Sequence, residues 1–211
     1  MSNMLFGDYE PLRPKSSFKT ITPWKMESTN IYPINSGNRL ISIAGTGHRP
    51  DRLGNYANLD RSAKIVIPII VSYLQQCHVL MSNKPTDFIE VISGFAQGWD
   101  TWLADAAIAS GVCRLTAAIP CQNHPSKWPA KAQAHHADLL SKSNYIITIT
   151  EHYTDHSMQD RNIWMTNNCN TLLACWDGTS GGTGNCVDYA TKCNVNIVNI
   201  YDRVALALGL I

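Results

Sequence analysis

The sequence predicts an α/β fold of the Rossmann-like kind, a parallel sheet of about six strands with helices on both faces. Three observations predict it. Short apolar runs alternate with helical patterns from about residue 39 to the end of the chain, the mark of βαβ units. Gly45, Gly94 and Pro120 each stand at or just past the end of such a run, where strands pass into loops. The 211 residues are 45% hydrophobic and 16% charged, enough apolar material for one real core.

Residues 1–37 read as an N-terminal arm and residues 38–211 as the domain. Pro11, Pro14, Pro23 and Pro33 break regular elements in the arm, while Phe18, Ile21, Trp24, Ile31 and Tyr32 give it surface to bury on the domain or a partner. Residues 40–44 form a buried strand that enters a tight turn at Gly45. Residues 59–77 follow a helical pattern with Ile65, Ile69 and Tyr73 on one face, and Pro68 is expected to kink or shorten it. Residues 88–92 form the second strand. The second helix, 99–110, is Ala-rich and closed by Gly111. Residues 115–119 form the third strand and 127–142 the third helix. Strands at 145–149, 171–176 and 195–200 complete the six, separated by helices at 158–168 and 183–192. Residues 204–208 end the chain with a helical turn or more. Strands joined through helices pair in parallel.

Charge and cysteine usage narrow the function classes. With 17 basic and 16 acidic residues the formal net charge is +1, so no broad field attracts nucleic acid or an anionic membrane, and nucleic acid is expected to be an unlikely partner. No 18 consecutive residues are apolar, so no transmembrane helix is expected, and residues 1–15 lack the apolar stretch of a signal peptide. Seven cysteines at irregular spacing form no C-x-x-C pair, which suits reduced side chains in the cytoplasm. No motif demands a metal. His152 and His156 lack the H-E-x-x-H order, and His135 and His136 point to different faces of a helix. No cofactor is required; Mg²⁺ enters only as a companion of a phosphate-bearing ligand.

In such sheets ligands bind outside the carboxyl ends of the strands, so the junction loops hold the candidate site. In the first, Gly45 and Gly47 let a ligand approach the main chain, His48 can donate to a phosphate or stack on a base, and Arg49 can fork onto a phosphate or carboxylate. Pro50 breaks the dinucleotide fingerprint. In the second, Ser93, Gly94, Gln97 and Gly98 run into a helix whose start suits an anion. Asp100 there either favours the helix dipole, holds a ribose hydroxyl or orients a neighbouring loop. In the third, Arg161, beside Asn162, is either a second clamp or a surface residue paired with Asp160 or Asp155. The fourth, residues 176–185, is the strongest local signal. Asp177 and Gly178 lead into Gly181, Gly182, Thr183 and Asn185, where the amides of a helix start can seat a phosphate. It lacks the Lys-Ser/Thr pair of a Walker A loop.

Taken together, Ser93-Gly94-x-Ala96-x-Gly98-x-Asp100 resembles the strand–loop–helix of the SLOG superfamily of DNA-processing and LOG proteins. Thr46-Gly47-His48-Arg49-Pro50, Leu53-Gly54, Ala118-Ile119-Pro120, Gln122, Trp128, Arg161-Asn162-x-Trp164-Met165, Trp176-Asp177-Gly178 and Gly181-Gly182-Thr183 resemble its DUF1273/YpsA-like branch, common in bacteria and phages. The resemblance covers about residues 40–200. It implies a Rossmann-like fold with a pocket for a nucleotide or nucleotide-like ligand. LOG enzymes release a base from nucleoside monophosphates with a P-G-G-x-G-T-x-x-E loop. Here the Pro is absent and no Glu stands at the matching place.

The expected function is a binding module for a nucleotide or nucleotide-derived small molecule, serving sensing or sequestration. The alternative is a nucleotide N-glycosidase or phosphoribohydrolase-like enzyme, with Asp100 or Asp177 acting at the ribosyl centre and Arg49 and Arg161 on the phosphate. Single-stranded nucleic-acid binding ranks third because of the near-neutral charge. The apolar residues of the arm suggest a homo-oligomer.

Overall fold

Strand and helix alternate along the chain because its apolar residues change period, and the computed structural model, which describes residues 25–28 and 38–211, folds them into one seven-stranded sheet. The strands are β1 (Lys25–Ser28), β2 (Arg39–Gly47), β3 (Phe88–Ser93), β4 (Cys113–Cys121), β5 (Tyr145–Thr150), β6 (Thr171–Cys175) and β7 (Asn196–Asn199). The sheet order is β1-β5-β4-β3-β2-β6-β7. The six strands β2 to β7 pair in parallel, as the alternation predicts. β1 pairs antiparallel with β5, Met26 opposite Ile147. Among the described residues the arm therefore holds one regular element, between Pro23 and Pro33. Its apolar residues Phe18, Ile21, Trp24, Ile31 and Tyr32 lie outside the described residues.

Neighbouring positions on each strand feed opposite cores. Ile43, Val91 and Leu173 pack with α1 (Leu59–Met81), α2 (Trp99–Ser110) and α6 (Tyr201–Leu208) on one face. Ala44, Ile92, Leu172 and Ala174 pack on the other with Met165 of α4 (Ser157–Asn167) and with Cys186, Val187 and Ala190 of α5 (Gly182–Lys192). Burying both faces explains why the strands read as continuous apolar runs. α3 (Ala130–Ser141) follows β4 and sends Leu139 into the first core.

α1 departs from its expected form. Pro68 neither ends nor shortens it, and the helix runs 23 residues. Its buried row is Ser62, Val66, Ile70 and Leu74, one position on from the expected face. Residues 56–81 are long and apolar enough by length and composition to cross a bilayer, with mean hydropathy 1.4 over the best window. An unbroken apolar run is absent because Arg61 and Lys64 lie early in the helix and Ser72, Gln75, Gln76 and His78 interrupt the rest. In the structure that helix packs against α2 and α6.

The chain moves outward from β2 through β3 and β4 to β5, then returns to the far side of β2 for β6 and β7. That reversal opens a crevice between β2 and β6 at their carboxyl ends. Gly45 and Gly47 lie inside β2 there, paired with Leu173 and Cys175, and not in a turn. Neither needs positive φ. A Cβ on Gly47 would stand 2.7 Å from Cβ of the buried Trp99, and one on Gly45 would overlap the Leu103 side chain. These glycines exist so that α2 can close onto β2. Gly47→Ala is expected to lower unfolding stability by about 1–3 kcal/mol through overpacking. The reading is the urea midpoint at constant slope, and an unshifted midpoint would show that Trp99 does not confine this position.

Candidate functional site

A cavity of ≈ 260 Å³ occupies the β2/β6 crevice. Its floor is the end of β2, with Gly45, Thr46, Gly47 and His48. One wall carries Ala96 and Asp100; another carries Met158, Arg161 and Asn162 of α4. The rim is formed by Arg49, Asp51 and Arg52 and, across the opening, by residues 179–184.

The floor is tied down by a buried ion pair. Arg161 Nη1 donates to Asp100 Oδ2 at 3.0 Å, with both side chains at least nine-tenths buried. Arg161 is thus neither a surface residue paired with Asp155 or Asp160 nor an unpaired clamp. Asp100 also accepts from the Ala96 amide of its own loop at 3.3 Å and stands in the first turn of α2, where a carboxylate favours the helix dipole. Burial pushes the Asp100 carboxyl above its ordinary range, against the charges of Arg161 and Arg49. Arg161 Nε has no partner among the described residues.

The second loop serves this framework. Ser93 Oγ donates to the Asp100 carbonyl at 2.7 Å and accepts from the Phe95 amide at 3.2 Å. A Cβ on Gly94 would run into the Arg161 guanidinium, and Gly98, at φ 92°, packs on Pro50. Ser93, Gly94, Gln97 and Gly98 do not line the cavity. The start of α2 is also closed to an anion, because the Trp99 amide donates to the His48 carbonyl and Asp100 already fills the first turn.

The first and fourth loops are latched together. His48 Nε2 lies 2.8 Å from Asp177 Oδ1 and 3.1 Å from the Asp177 amide nitrogen. A protonated Nε2 donates to the carboxylate; a deprotonated one accepts from the amide. Asp177 accepts from the Thr179 amide at 2.9 Å and faces Arg52 at 3.4 Å. Burial raises the Asp177 carboxyl, but the Thr179 hydroxyl and amide and the His48 ring outweigh it and hold it well below the usual carboxylate range. Asp177 and Gly178 therefore shape the loop from outside the cavity, and Asn185 also lies off its wall. Gly181, Gly182 and Thr183 do line it, at the start of α5, which no side chain caps. The first amides of a helix have no partner within it.

Asp51 and Arg52 line the cavity outside the sequence candidates, and Met158 and Thr179 line it within the third and fourth loops without being singled out there. Arg52 and Asp51 sit on the single helical turn that Pro50 begins. The proline after Arg49 was the available signal, since it favours a first helical position.

Beside this site, His124 and Trp128 of the loop from β4 to α3 pack with His136 of α3 and Phe95 of the loop after β3. Among the described residues no group of three or more His, Cys, Asp and Glu is placed to hold a metal ion.

The model of the YpsA family, described as the YspA SLOG family, matches residues 43–200. The chain belongs to the YpsA SLOG family. No curated protein is similar to it by sequence. Among solved structures it is similar to DNA processing protein A from Streptococcus pneumoniae, at TM-score 0.55 and 16% identity, over 91% of this chain and 65% of that one. The YpsA family member thus spans about two-thirds of the pneumococcal protein. It is also similar to DNA processing protein A from Helicobacter pylori, which has a single-stranded DNA binding mode, at TM-score 0.53 and 14% identity, over 90% of this chain and 83% of that one.

These neighbours correct two expectations. A free nucleotide-derived ligand for sensing or sequestration was expected, with nucleic acid an unlikely partner. The structures that share the fold are DNA-processing proteins, and one binds single-stranded DNA. The glycosidase alternative gains no support from them. Net charge averages over the whole chain, whereas a bound strand would meet only the charges around its own site.

Burial lowers the imidazole of His136 to about 4; burial and then the Arg161 charge lower that of His124 to about 3. Unfolded imidazoles bind protons near pH 6.5, so between there and pH 4 the unfolded state holds more protons and stability falls as pH falls. Denaturant melts across that window should show the loss, and His136→Phe should flatten it. An unchanged slope in the variant would assign the loss to other groups.

Proposed function

We propose that the YpsA family member binds single-stranded nucleic acid, with the phosphate backbone seated in the β2/β6 cavity. The carrying observation is Arg49. It is exposed at the rim and makes no ion pair among the described residues, whereas Arg161 is committed to Asp100 and Arg52 faces Asp177. A free guanidinium at the mouth of a cavity suits a phosphate fork.

The remaining candidates complement it. The uncapped start of α5 offers the amides around Gly182 and Thr183 to a second phosphate oxygen. Asn162, on the α4 wall, adds a side-chain amide. Gly178, Thr179, Ser180, Gly181 and Gly182 are exposed, so a strand can reach the loop without displacing core. The single-stranded DNA binding mode of the Helicobacter pylori protein supports the assignment of partner class.

A native gel at low salt, with a long single-stranded oligonucleotide, should show retardation, and its absence at high protein concentration would overturn the proposal. Arg49→Ala should weaken binding by roughly tenfold, the scale of a lost charge-assisted hydrogen bond. It should also reduce the slope of log affinity against log salt by about 0.7, one phosphate contact on a single strand. An unaltered slope would remove Arg49 from the contact.

A further inference from the structure

We propose that the loop between β4 and α3 carries a base-stacking subsite, built on Trp128 and walled by His124 and His136, that continues the phosphate cradle along the carboxyl edge of the sheet. This rests on the nucleic-acid reading above and adds to it where the bases go.

Four aromatic rings meet there. Trp128 stands edge-on to His124 at 5.0 Å and to His136 at 5.5 Å, and Phe95 stands edge-on to His136 at 5.6 Å. Phe95 and His136 are buried, while Trp128 and His124 are half-buried. The cluster therefore has a closed inner end and a partly open outer end. Packing alone does not explain its composition. Nε2 of His124 and Nε2 of His136 are both shielded and both without a hydrogen-bond partner among the described residues. Two leucines would fill such space with no unmet polar atom. A half-open indole and imidazole at the outer end of such a cluster offer flat faces on which a base can stack.

The cluster is joined to the cradle by the chain itself. Phe95 belongs to the wall loop whose next residue, Ala96, lines the cavity. Phe95 is held at φ 57°, in the left-handed region that bulky side chains avoid, and Asn123, next to His124, at φ 58°, where asparagine is tolerated. Such conformations persist where surrounding contacts impose them. His124 packs on His136, which packs on Phe95 next to the cavity-lining Ala96. In the sheet, β4 is separated from β2 only by β3. A strand that leaves the β2/β6 crevice over β3 arrives at Trp128.

The test separates bases from phosphates. Binding is measured for a single-stranded oligonucleotide and for a strand of the same length made wholly of abasic residues. The native chain should bind the base-bearing strand roughly tenfold more tightly, the scale of one stacked base. Trp128→Ala should bring that strand down to the abasic level and leave abasic binding unchanged. The conservative Trp128→Phe guards against a disturbed loop. It should keep the preference for bases and lose the quenching of tryptophan emission that the base-bearing strand causes. Equal binding of the two strands by the native chain overturns the subsite alone, as does a preference that survives Trp128→Ala or quenching that survives Trp128→Phe. If neither strand binds, the nucleic-acid reading falls and the subsite falls with it.

Discussion

The pair between Asp100 and Arg161 is the contact on which the rest of the site depends. It joins the start of α2 to α4 across 61 residues of sequence, under the loops that form the cavity. Two charges taken out of water attract strongly but lose hydration of similar size, so such a pair adds little net stability by itself. Removing one partner is different, because the other is left buried and uncompensated, at about 3–5 kcal/mol. The pair is thus better understood as a fixed point than as a source of stability. Gly94 has no room for a side chain because the guanidinium lies against it. The Ala96 amide is aimed by the same carboxylate. Ser93 closes the arrangement by binding the Asp100 carbonyl.

The fixed floor contrasts with the latched rim. Asp177 gathers His48, Arg52 and Thr179, and all the contacts are to one exposed loop. Arg52 is about half exposed, so its share is screened by water and salt. His48 is buried against Tyr201, edge-on at 6.1 Å, and its contact is shielded. The cavity therefore has one side set by buried chemistry and one held by contacts that a competing anion can exchange. A phosphate arriving at Arg52 offers the same kind of partner that Asp177 already provides.

Much of this was legible in the chain, for physical reasons that differ by level. The six parallel strands follow from the alternation of apolar periods, and Gly45, Gly47, His48, Arg49, Asp100, Arg161, Asn162, Gly181, Gly182 and Thr183 do converge on one cavity. Convergence is a consequence of topology, since every one of these residues lies near the carboxyl end of a strand or on the helix that follows. Their individual relations were not legible. Gly47 looks the same in sequence whether it serves a turn or makes room for Trp99. Arg161 has two acidic residues within six positions of it, yet its partner is Asp100, which only the fold brings near. β1 was hidden because four residues flanked by prolines carry no period long enough to read.

Net charge was the least informative quantity, and the site shows why. Of the three arginines that line the cavity among the described residues, one is neutralised by buried Asp100 and one shares a carboxylate at the rim. The chain can thus sit at +1 overall and still present an unpaired guanidinium where a strand would lie. The same count limits what electrostatics can do. Among the described residues at the cavity, one free cation gives a salt dependence of roughly one phosphate, far short of what basic nucleic-acid-binding surfaces achieve. For a strand held at this edge, most of the affinity must come from interactions that salt does not screen, which means backbone amides at a helix start and the faces of aromatic rings. A site of that construction favours an unpaired strand, because a duplex hides the base faces and offers only its phosphates.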